Sequence, residues 1–151
     1  MIKIICIGKI KEDYLKTAIL DYKKRINKYM KLEIVELNNT DVLNTADILK
    51  KEGEAILKNI KEKDYVITLE IDGNNLDSIS LASKINTTFN NYSNIVFIIG
   101  GSYGLDNSVK LRSNYKLSFS KLTFPHQLFR VMLLEQIYRS FKINNNESYH
   151  K

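Results

Sequence analysis

A short run of purely apolar residues near the middle of the chain restricts the possible folds most. Ile95–Ile99 reads IVFII and is the most apolar stretch of the sequence. A strand without alternating polar residues is typical of parallel sheets, in which helices cover both faces. The run is far too short to cross a bilayer, because a membrane helix needs about 20 apolar residues. The sequence therefore predicts an α/β fold.

Runs rich in β-branched residues alternate with segments of helical periodicity along the whole chain. Four further strands are predicted, at residues 3–8, 32–37, 65–71 and 115–119. Amphipathic helices are expected between them, and a last helix is expected to begin near Pro125. Residues 38–41 and 72–73 are predicted to form turns. This order predicts one domain, residues 1–151, with a mostly parallel sheet and helices on both faces.

The excess positive charge lies in the last third of the chain. Residues 1–99 contain 15 Lys and Arg against 14 Asp and Glu, whereas residues 100–151 contain 8 against 3. A basic surface favours a polyanionic partner such as RNA, although a solvated surface without any partner would have the same composition. The single cysteine, Cys6, excludes a disulfide within the chain and is typical of a cytoplasmic protein.

Unusual sequences follow three of the predicted strands. They are LEIDG at residues 69–73, IGGSYG at residues 99–104 and FSKLTF at residues 119–124. Open parallel sheets bind ligands outside the carboxyl ends of their strands, so these segments are expected to form one site. The GGxxG spacing differs from the dinucleotide fingerprint, and it lacks the lysine of a phosphate-binding loop. A plain tight turn would explain these glycines equally well.

The last helix and the chain terminus carry the remaining candidate side chains. His126 and Arg130 are four residues apart and are expected to share one helix face. Glu135 and Arg139 have the same spacing and could form an ion pair within the helix. The terminal residues 149–151 read YHK, which could be a frayed end. They could instead bring a base-stacking ring and a titratable ring to the site.

At these motifs the chain resembles the RlmH family, SPOUT-class methyltransferases that modify a pseudouridine in 23S ribosomal RNA. The motifs are IGGSYG, LSFSKLTFPHQLFRVMLLEQIYRSFKI and YHK, and the likeness extends to GKIKE and VITLEIDG upstream. The resemblance implies a trefoil knot at the C-terminal end of the sheet, a homodimer and no separate RNA-binding domain. It also implies S-adenosylmethionine as methyl donor, no metal and no membrane partner. The implied reaction is methylation of pseudouridine N3 on the assembled ribosome.

The resemblance also implies which residues bind the donor. The implied donor site consists of Leu69, Gly100, Gly101, Gly104, Phe119, Ser120, Lys121, Leu122, Thr123 and Phe124. For the implied reaction, Arg130 and Arg139 are the candidate stabilising cations, His126 and His150 are the candidate proton acceptors, and Tyr149 could stack on or orient the base. Solvent could also take the proton. We hypothesise that the tail of one subunit closes the site of the other.

Three alternatives remain open on the sequence. A non-catalytic protein that binds RNA or the ribosome would bind RNA but not the methyl donor. A SPOUT methyltransferase with another substrate, such as transfer RNA, would keep the donor site and change the acceptor. An unrelated nucleotide-binding α/β enzyme would bind ATP or NAD instead, although both phosphate-loop patterns are missing from the sequence.

Overall fold

Five strands alternate with five helices in residues 1–40 and 44–151, which are the residues that the computed structural model describes. In chain order they are β1 Ile2–Ile7, α1 Asp13–Ile26, β2 Leu32–Leu37, α2 Thr45–Lys58, β3 Tyr65–Asn75, α3 Ser78–Thr88, β4 Ile95–Ile99, α4 Asn107–Arg112, β5 Tyr115–Ser118 and α5 His126–Asn144. The turn predicted at residues 38–41 ends on Asp41, which lies outside the described residues.

The strands form one sheet in the order β2-β1-β4-β3-β5, and each neighbouring pair is parallel. The apolar strand β4 lies at the centre, and all five of its residues are buried. Such burial requires cover on both faces of the sheet, because successive side chains point in opposite directions. The prediction of an α/β fold with a parallel sheet is confirmed.

Each face of the sheet packs against its own set of helices. Ile4 and Phe97 belong to a core that also includes side chains of α1, α3 and α5. Ile5 and Ile98 belong to a second core with side chains of α2 and α4. All four of these side chains are fully buried. The predicted helices on both faces are therefore confirmed, and the sheet ends remain free to form a site.

Strand β3 continues past the point where the sequence predicts its end. Leu69 and Asn74 both align with Leu117 of β5, so residues 70–73 bulge out of the sheet between them. The strand then resumes and reaches Asn75. The prediction of a turn that closes the strand at residues 72–73 was wrong. The bulge instead forms part of the cavity wall described below.

Two asparagines and one glycine explain why β3 resumes. The side-chain amide of Asn74 donates to the Lys116 carbonyl at 3.1 Å, and that of Asn75 donates to the Ser118 carbonyl at 3.0 Å. A Cβ on Gly73 would lie 2.9 Å from the Lys116 carbonyl carbon, so only glycine allows this close approach to β5. The extension therefore depends on a neighbouring strand 43 residues away along the chain.

Candidate active site

The carboxyl ends of β3, β4 and β5 surround a cavity of about 340 Å³. Its walls are the bulge after Leu69, the loop that contains Gly100 and Gly104, the segment 119–124 and the start of α5 at His126. These elements meet because parallel strands bring all their carboxyl ends to one edge of the sheet. The volume is in the range of small-molecule sites in proteins.

Nine of the ten residues predicted to bind the donor line this cavity. They are Leu69, Gly100, Gly101, Gly104, Phe119, Ser120, Leu122, Thr123 and Phe124. Lys121 is exposed and does not line it, whereas the predicted catalytic residue His126 does. The lining also includes Glu70, Ile71 and Asp72, which belong to the expected site segment 69–73 but not to the predicted donor residues. The sequence predicts a turn there, and only the pairing of β3 with β5 shows that residues 70–73 bulge out of the sheet.

The glycine loop after β4 folds tightly on itself. The Gly104 N–H donates to the Gly101 carbonyl at 3.1 Å, and Gly104 adopts a φ of 83°, which favours glycine. A Cβ on Gly100 would lie 2.6 Å from the Gly104 carbonyl oxygen. The glycines therefore form a compact turn, as one interpretation of the sequence held, and their backbone also borders the cavity.

The segment 119–124 is held by local hydrogen bonds and by aromatic contacts with α5. The Leu122 N–H donates to the Ser120 hydroxyl at 3.0 Å. The rings of Phe119 and Phe124 lie 4.9 and 5.9 Å from the ring of Phe129, which belongs to the first turn of α5. The segment thus presents a fixed apolar wall to the cavity.

Arg130 is buried away from the cavity. Its side chain is 2% exposed, and its Nη1 lies 2.6 Å from the Oε2 of Glu36 on β2. Its Nη2 donates to the Gly8 carbonyl at 3.1 Å, and the same Glu36 oxygen accepts from the Ile10 N–H at 3.1 Å. These contacts tie α5 to the loop after β1. They favour a structural role for Arg130, which was a candidate cation for the reaction centre.

The remaining predicted catalytic residues gather beside a second cavity of about 760 Å³. This cavity shares Leu117, Phe119 and Phe124 with the first, so the two adjoin, and His150 lines the second. Arg139 makes the predicted ion pair with Glu135, at 2.6 Å. Tyr149, the third of these residues, packs edge-on against the ring of Tyr138, with ring centroids 4.9 Å apart. The alternative that the tail is a frayed end was wrong.

A buried carboxylate lies behind the glycine loop. Glu52 of α2 is 7% exposed, and a Cβ on Gly101 would lie 3.0 Å from its Oε2. Within residues 1–40 and 44–151, the Glu52 carboxylate forms neither a hydrogen bond nor an ion pair. Burial raises the pKa of this carboxyl group. Its charged form therefore opposes folding at neutral pH.

Replacing Glu52 with glutamine is expected to raise the free energy of unfolding by about 1 kcal/mol at neutral pH, because a buried charge disappears while the shape stays. Because the pKa of Glu52 is raised in the folded state, the variant should be more stable than the wild type at pH values above that pKa. This difference in stability should shrink as the pH falls toward the unfolded-state pKa of glutamate, about 4.3. Thermal unfolding of both proteins across this range measures the effect, with exposed Glu54→Gln as control. A less stable variant at neutral pH contradicts the prediction.

Residues 1–40 and 44–151 contain neither a candidate metal site nor a helix that could span a membrane. No group of three or more His, Cys, Asp and Glu side chains there could hold a metal ion. None of the helices in these ranges is both long enough and apolar enough to span a membrane. The two adjoining cavities thus remain the candidate site in the part of the chain that the structure describes.

Comparison with known proteins shows the family of this chain. Residues 1–150 match the family described as "Predicted SPOUT methyltransferase". The chain is 55% identical to "Putative ribosomal RNA large subunit methyltransferase H" of Methanococcus vannielii. It is 52% identical to "Ribosomal RNA large subunit methyltransferase H" of Clostridium tetani, and both alignments cover 99% of each chain. The chain therefore belongs to the SPOUT methyltransferase family, among the relatives named ribosomal RNA large subunit methyltransferase H.

Proposed function

We propose that this protein transfers a methyl group from S-adenosylmethionine to ring nitrogen N3 of a pseudouridine in 23S ribosomal RNA. The observation that carries the proposal is the 340 Å³ cavity, because nine of the ten residues of the implied donor site line it. The chain also belongs to a family of methyltransferases. The names of the relatives point to large-subunit ribosomal RNA as the substrate. The reaction would take place in the cytoplasm, on the assembled ribosome.

The walls of the cavity fit such a donor. The rings of Phe119 and Phe124 and the side chain of Leu69 offer apolar surface for an adenine ring. Gly100 and Gly101 border the cavity without side chains, so their backbone groups can approach a ligand closely. S-adenosylmethionine supplies an electrophilic methyl group on its sulfonium when it is bound. The task of these residues is to hold and orient that group.

The acceptor nitrogen must lose its proton while the new bond forms. The N3–C bond forms as the C–S bond breaks, and the N3 proton passes to a nearby base or to water. His126 lines the 340 Å³ cavity, which we call the donor cavity, and His150 lines the adjoining one, so both remain candidates for this base. Arg139 would stabilise the negative charge that develops on the pyrimidine ring. Tyr149 would orient the base.

A homodimer with a trefoil knot completes the proposal. The second cavity has an apolar wall, including Val131, Met132 and Ile79, and Ile79 is 58% exposed. A second copy of the chain would cover this apolar surface. In that assembly the tail of one subunit, residues 149–151, would close the site of its partner. The ribosome itself would present the acceptor base, attracted by the basic C-terminal third of the chain.

Methyl transfer from labelled S-adenosylmethionine tests the proposal. Assembled ribosomes, free large subunits, naked ribosomal RNA and transfer RNA are compared, and the product is mapped by mass spectrometry. We expect label on a pseudouridine of the large-subunit RNA, strongest with assembled ribosomes. Label on transfer RNA would support the donor site but would show that the substrate is a different RNA. If RNA binds while the donor does not, the protein is the non-catalytic binding protein instead.

A further inference from the structure

Glu135 lies at the centre of the C-terminal cluster of polar side chains. Its Oε1 accepts hydrogen bonds from Arg139 Nε at 3.1 Å, from Arg139 Nη2 at 2.6 Å and from the Tyr149 hydroxyl at 3.0 Å. Its Oε2 accepts from Gln136 Nε2 at 2.9 Å. Bonds to an ionised acceptor are stronger than neutral ones, and the two Arg139 bonds fix the plane of the guanidinium. One carboxylate thus holds two side chains from different segments.

Arg139 in turn orients His150 through a hydrogen bond. Arg139 lies over the ring of Tyr149, 4.8 Å from its centroid, and its Nη1 is 3.2 Å from His150 Nδ1. A guanidinium only donates hydrogen bonds, so Nδ1 must accept, and the neutral imidazole carries its proton on Nε2. In this arrangement His150 presents an N–H donor. It can take a proton on Nδ1 only after it releases Arg139.

We propose that Glu135 is a positioning residue for methyl transfer, which orients Arg139 and Tyr149 directly, and His150 through Arg139, for contact with the acceptor nucleobase. This inference rests on the proposed function. Glu135 lines the second cavity and not the donor cavity, so it would act on the acceptor side alone. A helix ion pair with Arg139 would not by itself require the additional bond to Tyr149.

Tyr149 provides a spectroscopic signal for this arrangement. Burial, followed by the hydrogen bond to Glu135, raises the pKa of its hydroxyl to about 12. Tyr22 of α1 and Tyr138 of α5 also lie against it, and the Arg139 guanidinium stacks on its ring. Removing the Glu135 charge removes a group that opposes formation of the tyrosinate. The pKa of Tyr149 should therefore fall in a variant with a neutral residue at position 135.

The test replaces Glu135 with glutamine, which keeps the shape and one carbonyl acceptor but removes the charge. We expect kcat/KM for ribosomes to fall about tenfold or more, with unchanged affinity for S-adenosylmethionine. Tyrosinate absorbance should appear at lower pH, and difference spectra against Tyr149→Phe isolate this ring from the other tyrosines. The matched control is Glu147→Gln. Glu147 accepts from Lys142 Nζ at 2.6 Å and from the Tyr29 hydroxyl at 2.9 Å in the same tail.

The control variant should keep its turnover within about twofold of wild type, because its ion pair is partly exposed. Unchanged turnover in Glu135→Gln would overturn the inference. An equal loss in Glu147→Gln would also overturn it, because both carboxylates would then merely anchor the tail. If the wild-type protein methylates no RNA, the proposed function fails. An unchanged Tyr149 titration in Glu135→Gln overturns the positioning role whether or not the protein methylates RNA.

Discussion

Replacing Gly100 with valine is expected to abolish binding of S-adenosylmethionine while the sheet stays folded. The new Cβ would lie 2.6 Å from the Gly104 carbonyl oxygen and 2.8 Å from its carbonyl carbon. Both atoms are backbone, so the loop must move, and the cavity wall moves with it. We expect the affinity to fall at least about 100-fold, which corresponds to about 2.7 kcal/mol. Calorimetry measures the affinity, and circular dichroism checks the fold.

The matched control for this experiment is Tyr103→Val in the same loop. Tyr103 is 57% exposed and does not line the donor cavity. This variant introduces the same residue three positions further along the chain and should bind the donor as the wild type does. Wild-type affinity in Gly100→Val would remove Gly100 from the donor site.

Replacing Arg130 with alanine is expected to lower the free energy of unfolding by about 3 kcal/mol, as breaking a buried ion pair does. The change leaves a cavity and removes the cation that pairs with Glu36 and the side chain that donates to the Gly8 carbonyl. Urea denaturation measures the effect. As a control, Arg25→Ala removes an exposed pair with Asp21 at 2.9 Å and should change stability little.

A second variant separates the structural role of Arg130 from a catalytic one. Arg130→Met fills the same space with an apolar side chain, so it should recover part of the lost stability. If Arg130 only ties α5 to the loop after β1, the folded fraction of this variant should methylate ribosomes normally. A stable but inactive Arg130→Met protein would instead support Arg130 as the cation that stabilises the acceptor.

The proposed donor cavity, at the carboxyl ends of β3, β4 and β5, shows how much of a site the residues alone predict. Apolar strands followed by glycines point to the carboxyl ends of a parallel sheet as the ligand site, since chain direction brings those ends together. Individual lining residues such as Leu69 and Ser120 came from the family resemblance, because nothing in periodicity distinguishes them. Neither periodicity nor the family resemblance predicts the β3 bulge, because Asn74 pairs with a backbone carbonyl of β5 that is 42 residues away along the chain.

Arg130 and the tail illustrate the same limit. Helical spacing puts His126 and Arg130 on one face, but it does not reveal that the neighbour of Arg130 is Glu36, 94 residues earlier in the chain. The position of residues 149–151 at the end of the chain suggests that they fray. The contact between Tyr149 and Glu135 instead fixes the tail on α5.

The sequence by itself determined the strand order along the chain, the parallel sheet and the two covered faces, because these depend on local apolar periodicity. The tertiary structure alone decided where β3 bulges, which side chain Arg130 pairs with, and how one carboxylate holds Arg139 and Tyr149. These features depend on contacts between segments far apart in the chain. Local propensity carries no information about such contacts, whereas packing and hydrogen bonding in the folded chain select them.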